Sequence, residues 1–216
     1  MLRFLTTVVL AFVSCQAWIL QAHAAVVASG LIISGSTYNT SNAFQFFNNS
    51  TAGERIVSIT WNLTPIGAFF DTTPIPPGFV SSSLTLGASS PVGHSFPTNA
   101  SLNGQSVLTI GFTDFDPGEF FRFGVDTDFF SQPDDAGLFG EQFVGATAQA
   151  VFSNGSTLQG TYVATTESGF GSRVDINSPV SNPTIPEPST ICMWGLGLGA
   201  FALRRRCQRL IKSRPV

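Results

Sequence analysis

Between residues 25 and 185 the chain has no cysteine and no lysine. The three cysteines, Cys15, Cys192 and Cys207, all lie outside that stretch. Disulfides and cysteine-ligated zinc are therefore excluded from the body. His94 is its one histidine, and no Gly-x-Ser-x-Gly segment occurs. Nucleophilic catalysis has little to work with, and His94 reads as a loop residue rather than a ligand. Carboxylate pairs of the kind that cleave glycosides arise in any acidic domain and single out no residue here. No glycine-rich phosphate loop follows a strand and opens a helix. The expectation is a protein that is not an enzyme. Positive charge is also scarce. Arg55, Arg122 and Arg173 face twelve acidic residues in the body, a net charge of −9 that the whole-chain value of −3 conceals. Such a surface repels nucleic acid and anionic lipid. It suits cations or neutral polymers, or serves only to keep an exported protein soluble.

The body is rich in Phe, Thr, Ser, Gly and Val, a mix that favours strands over helices. Several segments alternate. Val57, Ile59, Trp61 and Leu63 would share one strand face. Leu108, Ile110 and Phe112 would share another. Phe121, Phe123, Val125, Thr127 and Phe129 would lie opposite Arg122, Asp126 and Asp128. Asn154-Gly155 separates two apolar runs and predicts a hairpin with a type I′ turn. About nine or ten short strands at near-regular spacing, with no helical period, predict an all-β fold. The expected architecture is an antiparallel β-sandwich over residues 25–177, with a jelly roll as one form of it.

The densest acidic turn is Thr113-Asp114-Phe115-Asp116-Pro117-Gly118-Glu119. Ca²⁺ takes six to eight oxygens from carboxylates and turn carbonyls. Asp114, Asp116 and Glu119, joined by Asp126 and Asp128, form a candidate Ca²⁺ site. The alternative is a solvated turn, with Asp126 and Asp128 paired to Arg122 across the surface. Sugar-stacking sites favour Trp and Tyr, of which the body has only Trp61, Tyr38 and Tyr162. The pairs Phe46-Phe47, Phe69-Phe70, Phe120-Phe121 and Phe129-Phe130 pose a different problem. Adjacent residues of a strand point to opposite faces. One ring of each pair therefore lies under a loop or forms an exposed apolar patch.

The two ends carry addresses. Residues 1–24 read as a signal peptide, with Arg3 in the n-region, an apolar h-region, and Ala22-His23-Ala24 as the signal peptidase site, cleaved after Ala24. A lipoprotein reading with Cys15 acylated is the alternative. At the other end, residues 178–185 form a short proline-stiffened linker. Pro186-Glu187-Pro188 follows, then the uncharged run 191–203, then Arg204-Arg205-Arg206 and a basic tail over 207–216. As a helix, 191–203 spans roughly 20 Å, short for a permanent span unless flanking residues lengthen it. Arginines abutting such a run stay on the cytoplasmic side, so the body would sit outside the cytoplasmic membrane.

In order and spacing, Pro186-Glu187-Pro188, the Gly/Leu-rich run and Arg204-Arg205-Arg206 resemble the PEP-CTERM sorting signal of Gram-negative bacteria. The resemblance covers residues 185–206. It implies a transmembrane helix within a sorting signal over 186–206, and processing near Pro186-Glu187-Pro188 by an exosortase, a membrane protease or transpeptidase. It also implies an association with the cell envelope and with exopolysaccharide. The stretch 114–119 looks like one seen in uncharacterised exported proteins with this same tail, which suggests a shared fold and gives no activity. The expected function is an exported envelope or extracellular-matrix protein with a structural or adhesive role. A Ca²⁺-dependent carbohydrate-binding module is the alternative.

Overall fold

The computed structural model describes residues 26–73, 80–133 and 136–178. The expected signal peptide, sorting signal and transmembrane helix lie outside the described residues. Among the described residues, no helix is long and apolar enough to cross a membrane.

Thirteen strands follow in order among the described residues: β1 (Val26–Ile33), β2 (Phe44–Asn48), β3 (Ile56–Asn62), β4 (Ala68–Asp71), β5 (Thr85–Leu86), β6 (His94–Ser95), β7 (Val107–Phe115), β8 (Phe120–Gly124), β9 (Asp126–Phe129), β10 (Thr147–Phe152), β11 (Thr157–Thr161), β12 (Val163–Ala164) and β13 (Phe170–Asn177). All strand pairs are antiparallel. One sheet runs β12-β13-β1-β2-β8-β5, a second runs β11-β10-β3-β7-β6, and β4 pairs with β9 alone. The all-β expectation therefore holds for the body. Among the described residues there are also one four-residue helix, Asn99–Leu102, and two 3₁₀ turns.

The two larger sheets meet through aromatic rings. Trp61 of β3 packs edge-on against Phe46 of β2 and Phe123 of β8, with centroids 5.8 and 4.9 Å away. Phe112 of β7 meets Phe121 of β8 at 4.9 Å. Edge-to-face arrangements set the positive ring edge against the negative face of its neighbour. Trp61 Nε1 donates to Tyr162 Oη at 3.1 Å, which satisfies two buried polar groups at once. Tyr162 is also the corner of the fold, because β11 and β12 on its two sides belong to different sheets. Its backbone is held on both sides, with its N–H on the Ala146 carbonyl and its C=O accepting from Gly145.

Three local expectations are corrected. Val57 does not join the inner face of β3: it is 44% exposed, while Ile56 is buried. A β-bulge between Ile56 and Ser58 inserts one residue against β10, and the extra residue inverts the alternation before it. The Asn154-Gly155 hairpin forms between β10 and β11, but its turn is not type I′. That turn needs positive φ at both central residues, and only Gly155 has it, at 83°. Gly155 N–H bonds the Phe152 carbonyl, and Asn154 Oδ1 accepts from Ser156 N–H, giving a longer loop. The run from Phe121 to Phe129 is not one strand. It breaks at Val125, with β8 in the six-stranded sheet and β9 paired to β4.

The phenylalanine pairs differ in burial within each pair except Phe69-Phe70, where both rings are buried. Phe46, Phe70 and Phe121 are buried. Of their neighbours, Phe47 and Phe120 lie side by side, with the Arg122 guanidinium 4.6 Å above the Phe120 ring. Phe69 stacks on Phe130, which is 60% exposed.

Gly30 of β1 faces a crowded part of the core. A Cβ there would lie 2.9 Å from Phe46, from Tyr162 Oη and from Val174. All three neighbours are buried and have little room to yield. We expect Gly30→Ala to destabilise the domain by about 1–3 kcal/mol through overpacking. Urea denaturation measures it, and an unchanged midpoint would show that the core can relax around a methyl group.

Candidate functional site

The acidic turn expected to bind metal is built as a self-contained loop. Asp114, on β7, accepts from the Gly93 N–H and from Thr113 Oγ1. Asp116 is exposed, 3.9 Å from the Arg55 guanidinium. Glu119 turns back to accept from Asp116 N–H at 2.7 Å. Gly118, at φ 87°, donates to the Asn48 carbonyl and closes the turn. Each carboxylate is thus spent on a backbone donor or on Arg55.

Asp126 and Asp128 lie elsewhere. Both have no exposed surface, and neither pairs with Arg122, whose Nε donates to Gln45 Oε1. Their partner is a residue that the sequence reading did not single out, Asp71. In the β4–β9 ribbon Asp71 lies opposite Asp126, and Phe69 opposite Asp128. Directly opposed residues point to the same side, so Phe69, Asp71, Asp126 and Asp128 share one face of the ribbon. One carboxylate oxygen from each of the three aspartates falls within 4.8 Å of the others. Among the described residues this is the one group of three or more potential metal ligands. The structure brings Asp126 and Asp128 to Asp71 and leaves Asp114, Asp116 and Glu119 in their own turn.

The trio is enclosed by backbone. Asp126 N–H donates to the Ser82 carbonyl, and its Oδ1 accepts from Thr127 N–H at 2.9 Å. Gly137, at φ 79°, comes so close that a Cβ on it would lie 2.8 Å from Asp126 Oδ1. Thr37 and Thr127 hydroxyls bond each other at 2.8 Å on the opposite face of β9. Beyond Asp71, Thr72 is fastened by its N–H to Asn103 Oδ1 and by its hydroxyl to the Asn99 carbonyl.

Burial dominates the electrostatics. Loss of solvent pushes the Asp126 carboxyl up to about 7; Thr127 N–H opposes the rise and the Asp71 charge adds to it. Asp71 is raised by burial as well, opposed by the Thr73 N–H and by a hydrogen bond with Asp128. Asp126 Oδ2 is enclosed and has no hydrogen-bond partner among the described residues. The three described arginines are engaged elsewhere: Arg55 at Asp116, Arg122 at Gln45 and Phe120, and Arg173 at Glu167 and Asp175.

Asp71 left a faint trace in the sequence, as the one charge closing the apolar run Ala68-Phe69-Phe70. Its importance depends on the β4–β9 pairing, which no local pattern reveals. His94 sits in β6 rather than a loop, half-buried, with its ring against Phe96 and Phe121 and Nδ1 3.2 Å from the Val92 carbonyl.

No curated protein and no solved structure matches the chain. A family model does match, over residues 184–206, and its description is the PEP-CTERM protein-sorting motif. The matched span contains Pro186-Glu187-Pro188 and Arg204-Arg205-Arg206. The C-terminal end of this chain is a PEP-CTERM sorting motif, the mark of an exported protein that is anchored at the membrane and then processed by an exosortase.

Proposed function

We propose that this is a non-enzymatic protein of the cell envelope or extracellular matrix, delivered by its sorting motif and acting through its β-rich body in a structural or adhesive role linked to exopolysaccharide. The observation that carries the reading is the sorting motif at 184–206. An acidic, cysteine-free body suits a secreted matrix component, since its net negative charge keeps it soluble and disposes it toward cations and neutral polymers. Signal peptidase would free Ala25, and the exosortase would act near Pro186-Glu187-Pro188. A carbohydrate module that stacks sugars on Trp or Tyr has less support, because Trp61 and Tyr162 are each only 1% exposed and hold each other in the core.

Replacing Pro186, Glu187 and Pro188 together by alanine should block processing. In cells carrying an exosortase, mass spectrometry would find the tail-bearing form retained in the membrane fraction. Normal trimming of the triple variant would remove the basis of the reading. For the matrix role, deleting the chain should lower the retention of exopolysaccharide on the cells, and unchanged retention would count against it.

A further inference from the structure

We propose that Asp71, Asp126 and Asp128 hold a Ca²⁺ ion between them on the shared face of the β4–β9 ribbon. The site is separate from the acidic turn at 114–119, and it does not rest on how the tail is processed.

Geometry comes first. Three oxygens that all lie within 4.8 Å of one another have a common point no farther than about 2.8 Å from each, close to the 2.3–2.6 Å of Ca²⁺–oxygen contacts. Small side-chain rotations close the difference. The ligands come from two paired strands, so hydrogen bonding of the backbone fixes their spacing before any ion arrives.

An independent observation points to a ligand. Asp126 is wholly buried, yet its Oδ2 meets no hydrogen-bond donor among the described residues. Buried carboxylate oxygens are normally satisfied, because an unmet one forfeits the hydration it had in water. The charge balance agrees. Asp71 lies opposite Asp126 on the ribbon and its charge bears on the Asp126 carboxyl, while the described arginines are committed elsewhere. A divalent cation would be the missing partner of Asp126 Oδ2.

The donor set chooses the ion. All-oxygen, all-carboxylate ligation suits a hard cation. Mg²⁺ dehydrates reluctantly and keeps several waters, which an enclosed face crowded by Gly137 and Phe69 accommodates poorly. Ca²⁺ accepts irregular geometry and bidentate carboxylates, and three of those supply up to six oxygens.

The test uses the full chain in detergent, stripped with chelator and titrated with CaCl₂ alone and MgCl₂ alone. Millimolar Ca²⁺ should raise the melting temperature by about 5 °C or more, because the ion binds only the folded site. Calorimetry should give one ion per chain. Asp126→Asn and Asp128→Asn should abolish both signals. In chelator Asp126→Asn should melt at or above the wild-type temperature, since it removes a buried carboxylate that Asp71 repels. Asp116→Asn should keep the full response. The proposal is overturned if Ca²⁺ produces neither shift nor heat, if Mg²⁺ reproduces the whole response, or if Asp116→Asn removes it while Asp126→Asn does not. It is also overturned if Asp126→Asn melts well below wild type in chelator, the result expected of a proton-sharing structural network. Should a variant fail to fold, bound calcium per wild-type chain after gel filtration decides the matter, with less than about 0.2 ions counting against the site.

Discussion

Trp61→Ala should cost the domain about 3–5 kcal/mol, a large part of the roughly 5–15 kcal/mol that holds a domain folded. The indole lies between two sheets and touches rings on both Phe46 and Phe123. Neither ring can move inward without carrying β2 or β8, so the cavity would stay largely open. A second loss adds to the first. Tyr162 Oη loses the Trp61 N–H, in a site where burial already pushes the phenol well above its usual range and keeps it neutral. The melting temperature should fall by roughly 10 °C. Trp61→Phe should fall in between, restoring ring packing without the N–H. Trp61 is the only tryptophan of the body, so circular dichroism rather than fluorescence must follow the variants. A loss below about 1 kcal/mol for Trp61→Ala would mean that the two sheets are not clamped at this point.

In the presence of chelator, the body should be more stable at pH 5 than at pH 8. The cause is Asp126, whose carboxyl rises to about 7 through burial, with Asp71 raised in the same direction. In the unfolded chain an aspartate titrates near about 3.9. Between those two values the folded state binds more protons than the unfolded state, so stability falls as pH climbs. The contribution is complete below about pH 4 and is lost as pH passes through about 7. At about 1.4 kcal/mol per pK unit, Asp126 alone gives a decline of up to roughly 4 kcal/mol. Urea midpoints measured from pH 4.5 to 8 would show it. A profile that is flat or rises toward pH 8 would mean that these carboxylates are solvated in the folded protein.

The fold class was readable because strand composition and alternation are local. The inner faces of β7 and β10 alternate as their residues suggest, with Leu108, Ile110 and Phe112 inward, and Ala148, Ala150 and Phe152 inward. The misplacements have one physical origin, a break in register that composition does not encode. The bulge at Val57, opposite β10, turned a single side chain outward. The break at Val125 moved Asp126 and Asp128 from a supposed solvent face into an enclosed one. Asp114, Asp116 and Glu119 stood out because they are crowded in sequence, and crowding in sequence favours hydrogen bonds to near neighbours, as between Thr113 and Asp114 and between Asp116 and Glu119. Asp71 lies 55 residues before Asp126, so only the antiparallel pairing makes them neighbours.

Val26 of β1 is paired with Asn177 of β13, so the body begins and ends at adjacent points on one ladder. Tension drawn between those two points would part the β1–β13 bonds one pair at a time, starting at the outermost rung. Strands loaded that way unzip at low force, whereas strands pulled past each other resist as a group. A load carried from the Ser178 end to the second sheet would instead pass through the paired strands and the aromatic rings between the two sheets. Under load the body is therefore mechanically sound on the faces remote from Val26, and weak at the seam where the two ends meet.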